Sequence, residues 1–173
     1  MDQLDEVKNS LEQHLYDALE YSLKHQNWQE AEKLTNKLMV FIANTKDYLF
    51  IEGINNFSCS DLKKIDEYWI QNSGGRFSFS VQKKIWDDTG NRLSITELKK
   101  SDIENYLRFA YHIGWYDDLD TKDFSNYNQV IEQAEKNNRV VPLGILQMGY
   151  HSYVMRVGAV RAEFFFRAAT CKL

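Results

Sequence analysis

Between Phe77 and Trp86 the chain gathers Phe77, Phe79, Val81, Ile85 and Trp86, and interleaves them with Gln82, Lys83 and Lys84 just after Arg76. Large apolar side chains with a few cations among them suit one ligand chemistry, a flat apolar molecule carrying negative charge. Aromatic and aliphatic groups would cover its faces while Arg76 or Lys83 met its charge, the planar guanidinium fork being the better match for a carboxylate. The same residues at the same spacing also suit an ordinary core, where aromatics usually pack inward.

Other chemistry finds little support. His14, His25, His112 and His151 are scattered, without the helical i, i+4 partners of a metal site. Asp87-Asp88 and Asp117-Asp118 are neighbours in sequence, so in regular structure their carboxylates point apart and do not form an acid/base dyad. Gly74-Gly75 lacks the Lys-Ser or Lys-Thr that completes a phosphate loop. No catalytic residue and no metal ligand is therefore assigned, and the chain reads as a non-enzyme. Cys59 and Cys171 belong to no redox or metal spacing and are expected as free thiols in a reducing compartment.

Composition narrows the partners further. A net charge of -4 argues against nucleic acid, whose binding is driven by clustered Lys and Arg. No apolar run reaches the ~18 residues that cross a bilayer, and the N-terminus MDQLDEV is acidic where a signal peptide is basic. A cytoplasmic protein is expected, or a stromal one if the source has plastids, with peripheral membrane attachment left open.

The elements that must position these residues are helical. Leu11, Leu15, Ala18, Leu19 and Leu23 repeat at three and four residues and predict a helix from Asp2 to about Lys24. Asn27 with Glu30 forms a capping box for the next helix, whose buried face is Trp28, Ala31, Leu34, Leu38 and Phe41. A short apolar segment spans Tyr48 to Ile54. Ser60 is the expected N-cap of a helix carrying Leu62, Ile65, Trp69 and Ile70, which Gly74-Gly75 ends. Ser80 to Asp88 follows as a helix, and Ser101 to Glu104 is a second capping box opening a helix toward Gly114. Asn128 to Asn138 is a further helix. From Arg139 onward Pro142, Gly144, Gly149, Gly158 and many β-branched residues suggest loop, short strand or extended tail. At 173 residues and 43% hydrophobic content, the chain fits one compact domain of mainly α class with a loop-rich C-terminal segment.

The run DLKKIDEYWIQNSGGRFSFSVQKKIW, Asp61 to Trp86, resembles the signature of the genomes-uncoupled-four family, tetrapyrrole-binding proteins that activate magnesium chelatase. NWQEAEKLTNKLM from Asn27 resembles that family's first core helix, and FFFRAATCKL from Phe164 its C-terminal tail. The resemblance implies a cupped all-helical core at 26–173 behind an N-terminal helical extension at 1–25. It also implies a concave face holding protoporphyrin IX or Mg-protoporphyrin IX without a covalent bond. Phe77, Phe79, Val81, Ile85 and Trp86 would form one wall, Trp115 and Tyr127 would face it, and Pro142 and Leu143 would lie on a loop over the ligand. Arg76, Lys83, Arg161 and Arg167 are the candidate propionate partners, and the large subunit of magnesium chelatase is the candidate protein partner. A second expectation keeps the same fold but binds a bilin, or only a protein.

Overall fold

In the computed structural model, which describes residues 3–46, 51–97, 99–113 and 154–173, the regular elements are all helices. They are α1 (Gln3–Lys24), α2 (Trp28–Ile42), α3 (Ile51–Asn55), α4 (Cys59–Ser73), α5 (Phe79–Asp88), α6 (Lys100–His112) and α7 (Val154–Thr170). The mainly α expectation holds. Asn128 to Asn138 lies outside the described residues.

The first two helices form a hairpin. Tyr16, Leu19 and Leu23 recur at helical spacing, so one stripe of α1 packs against α2 and α4, and all three are 1 % exposed or less. The turn uses Gln26 at a positive φ of 55°, and Asn27 then caps α2 by accepting the Glu30 N–H at 3.3 Å. Across the hairpin Trp69 of α4 donates its indole N–H to Thr35 Oγ1 at 3.0 Å, and Thr35 in turn donates to Ala31 O. Every polar group brought into this core by Thr35 and Trp69 is thus satisfied.

Two helix starts differ from their sequence positions. The N-cap of α4 is Ser58, which accepts the Asp61 N–H, because the expected Ser60 hydroxyl instead pairs with Ser58 Oγ at 2.7 Å. At α6 the box sits at Lys99 and Asp102 rather than Ser101 and Glu104. Asp102 accepts the Lys99 N–H at 2.7 Å while Arg92 donates to both of its oxygens, at 2.7 and 2.5 Å. A residue with two such donors holds the first turn better than a solvated glutamate. The hydrogen bond from Arg92, then that from the Lys99 backbone, keep the Asp102 carboxyl below the usual range despite its burial.

The step from α4 to α5 is stapled by short polar side chains. Gly74 ends α4 at φ 64°, a left-handed conformation that costs a glycine little, and Gly75 N–H closes on Ile70 O at 2.9 Å. Ser73 Oγ then accepts the Phe77 N–H at 2.9 Å. Ser78 caps α5 by accepting the Val81 N–H at 3.1 Å, and the buried Asp66 of α4 accepts the Ser80 N–H at 2.8 Å.

The C-terminal segment corrects the sequence reading twice. From Val154 onward it is a helix, not loop, strand or extended tail, since burial at Arg161, Ala162, Phe164, Phe165 and Ala168 follows a helical period that Gly158 and the β-branched residues before it obscure. Cys59 and Cys171, expected as free thiols, are joined in a disulfide. Spacing could not show this, because 112 residues separate the two and the packing of α7 on α3, α5 and α6 brings them together.

Candidate functional site

Helix α5 divides the predicted wall into two faces. Phe79, Gln82 and Trp86 fall on its inward face, at 0, 0 and 1 % exposure, and Phe77 just before the helix is also at 0 %. Val81 and Ile85, four residues apart, share a neighbouring stripe that is half-buried and open to contact. Phe77, Phe79 and Trp86 therefore stand behind this stripe as its support. The physical reason is the 3.6-residue period: a wall read along the sequence becomes two sides of one helix.

An aromatic layer forms that support. Phe79 meets Phe164 edge-on at 5.0 Å, and Trp86 meets Phe165 at 5.0 Å and Phe109 at 5.1 Å, with Tyr106 at 6.3 Å. Trp28, Trp69 and Phe77 make a second cluster, Trp28 lying 5.1 Å from Phe77. Such aromatic pairs, edge-to-face, tilted or stacked, add about 0.5–1.5 kcal/mol each beyond area burial. The indole N–H of Trp86 is buried in it with no hydrogen-bond partner among the described residues. Asp66, Ser73, Tyr106 and Phe109 position this wall but were not singled out from the sequence. The signal for Tyr106 and Phe109 was present in their three-residue spacing on α6, whereas nothing in the sequence links Asp66 to Ser80.

The four candidate cations are used differently. Arg76 donates Nε to Ser73 O at 3.1 Å and lies 4.9 Å over the Phe77 ring, half-buried at the start of the wall. Lys83 pairs with Asp87 at 2.6 Å, its side chain only 15 % exposed. Arg167 grips the Phe57 carbonyl through Nε at 3.0 Å and Nη2 at 2.5 Å. Arg161 is buried at 3 % exposure, hydrogen-bonded to Tyr106 and within electrostatic reach of Glu32. Burial lowers its basicity, which Tyr106 and Glu32 oppose, and burial likewise raises Tyr106. Arg161 and Arg167 thus bind the fold together as placed, while Arg76 precedes α5 and Lys83 lies on that helix, turned away from Val81 and Ile85. Trp115, Tyr127, Pro142 and Leu143 lie outside the described residues.

Other ionisable groups serve the surface or the frame. Asp87 and Asp88 bridge to Lys83 and Lys84 one turn back, which accounts for this adjacent pair. His14 and His112 are exposed, and His25 bonds Tyr21 O through Nδ1 at 2.8 Å. Tyr16 donates to Asp61 at 2.9 Å beneath the Lys64 ammonium, and burial, then the Asp61 bond, push its hydroxyl far above the ordinary phenol range. Among the described residues no group of His, Cys, Asp and Glu could hold a metal ion, and no helix is long and apolar enough to cross a membrane.

A family model described as GUN4-like matches residues 9–143, which include α5 and most of the helices that support it. The chain belongs to the GUN4-like family. Among its relatives, the chloroplastic tetrapyrrole-binding protein of Arabidopsis thaliana is 31% identical over 140 residues, covering 78% of this chain and 48% of that protein. A ycf53 protein of Porphyra purpurea is 31% identical over 104 residues, covering 58% of this chain and 38% of its own length. This GUN4-like chain therefore spans less than half the length of these two curated relatives. The ligand-free structure of Arabidopsis thaliana GUN4 superposes with a TM-score of 0.57 at 23% identity, covering 87% of this chain and 96% of that one, a likeness of fold.

Proposed function

We propose that this chain binds a tetrapyrrole, protoporphyrin IX or its magnesium complex, across the Val81 and Ile85 stripe of α5. It then acts as a regulator that promotes metal insertion by contact with the large subunit of magnesium chelatase, without catalysing the reaction itself. The observation that carries the reading is the half-buried apolar stripe of Val81 and Ile85 beside an aromatic support, with Arg76 half-buried just before α5. It lies within the span matched by the GUN4-like family, one of whose members is named for tetrapyrrole binding.

The chemistry is consistent in scale. Covering about 250 Å² of apolar macrocycle at about 25 cal/mol/Å² contributes roughly 6 kcal/mol, with a similar gross gain from the protein surface covered. Association and ordering then remove several kcal/mol, which leaves an affinity of about micromolar, suited to a carrier that must release its cargo.

Titration with deuteroporphyrin, its magnesium complex and a bilin, following quenching of the four tryptophans, tests the binding half. Val81→Glu should weaken porphyrin binding by about tenfold or more while the melting temperature changes little, a charge facing the ring costing at least about 1.4 kcal/mol, and Ile85→Glu should do the same with some loss of stability, since Ile85 also packs against the core. Unchanged affinity in folded variants would remove α5 from the site. Added to chelatase subunits, the protein should raise the rate of magnesium porphyrin formation, and alone it should form none.

A further inference from the structure

We propose that the Cys59–Cys171 pair is a reversible redox modification site, a latch that an external dithiol opens and an oxidant closes. Four observations meet there. The pair are the only cysteines of the chain, and the structure has them joined. Cys59 stands at the first residue of α4 and is half-buried, while Cys171 follows α7 and is buried. One residue before the α4 cap, the carbonyl of the buried Phe57 takes two hydrogen bonds from Arg167. The same helix α7 sends Phe164 and Phe165 into the aromatic layer against Phe79, Trp86 and Phe109.

These contacts make the pair a switch rather than an inert staple. Without it, the last turn of α7 is held to the α3–α4 connection by Arg167 on the Phe57 carbonyl and by packing on α3, contacts that can loosen locally. The place of Cys59 also favours exchange. At the first turn of a helix the backbone N–H groups and the dipole stabilise a thiolate, which favours the reduced form of a disulfide.

The exchange balances as follows. One thiolate of the dithiol attacks Cys59 Sγ, the more open sulfur, and the Cys59–Cys171 bond breaks. Cys171 leaves as thiolate and takes up a proton. The second thiol of the reductant attacks the mixed disulfide and releases Cys59, so the dithiol becomes a disulfide and the pair gains two electrons and two protons.

The test uses the full chain purified without reductant and then exposed to a graded series of reduced and oxidised dithiothreitol. Alkylation followed by intact mass should show the pair passing between zero and two modified cysteines, in folded protein, with a single midpoint. On reduction, tryptic cleavage after Arg167 should accelerate by about tenfold or more as the last turns of α7 undock, and tryptophan emission should shift as Trp86 loses Phe165. The Cys59→Ser, Cys171→Ser double variant should match the reduced protein at every dithiothreitol setting. Three results would each overturn the proposal: thiols that stay free under oxidised dithiothreitol, a disulfide that yields only in denaturant, or reduction that leaves cleavage and emission unchanged. The wild-type comparison stands by itself if the double variant does not fold.

Discussion

Phe79 is the residue at which a ligand wall and a core make opposite predictions. Its side chain is 0 % exposed and its ring meets Phe164 of α7 edge-on at 5.0 Å, so Phe79→Ala leaves a cavity between α5 and α7. Phe-to-Ala changes at such sites cost about 3–5 kcal/mol, of which the lost ring pair accounts for about 0.5–1.5. Against a typical stability of about 5–15 kcal/mol this is a large fraction, and for a chain of this size it lowers the melting temperature by roughly 6–20 °C. Phe79→Leu restores most of the buried volume and should cost about 1–2 kcal/mol. Urea unfolding followed by tryptophan emission and far-ultraviolet circular dichroism measures both. A loss below about 1 kcal/mol for both variants, with porphyrin affinity falling instead, would refute the packing argument and return the Phe79 ring to the ligand. The expected result carries a practical rule: binding is to be tested first at the half-buried Val81, because Ile85 also packs against the core.

Thr35→Val should destabilise by about 1–3 kcal/mol despite its near-equal volume, because it strands the buried Trp69 indole N–H; urea midpoints check this, and Trp69→Phe in the Thr35→Val background should recover part of the loss. Asp102→Asn should lower the midpoint at neutral pH and matter less in acid. Asp102 titrates below its unfolded value through its bond to Arg92, so its contribution is complete above about pH 4 and is lost as pH falls through the folded pKa. A wild-type to variant gap that stays constant between neutral pH and about pH 3 would refute the ion-pair account.

Local signals carried most of the fold. The Asn27 cap on Glu30 N–H, Leu19 and Leu23 of the α1 stripe, and Gly74 each act within one or two turns and stand where spacing puts them, whereas Leu11 of that stripe is exposed and the buried Tyr16 is not part of it. The two displaced caps show the limit of that reading. Ser60 and Ser101 have the right chemistry, but Ser58 and Asp102 win through partners that local spacing does not reveal, the Ser58–Ser60 hydroxyl pair and Arg92 ten residues before Asp102. The site was less legible for the same reason. Sequence proximity grouped Phe79 with Val81, yet the helix turns one inward and the other out. Arg161 reads as a candidate propionate partner until Tyr106 and Glu32 are seen around it, and Cys59 and Cys171 read as separate thiols until α7 folds back.

That return of α7 sets an order on synthesis. Trp86 and Phe109 lack their partner Phe165 until the ribosome has moved about 80 residues past Trp86. At about 5–20 residues per second this is an interval of roughly 4–16 s. For that time the nascent α4–α6 unit carries an open aromatic face, a surface that chaperones hold and that other unfinished chains can join. Slow decoding between residues 86 and 165 would lengthen the exposure, so codon choice in that stretch bears directly on the yield of folded protein.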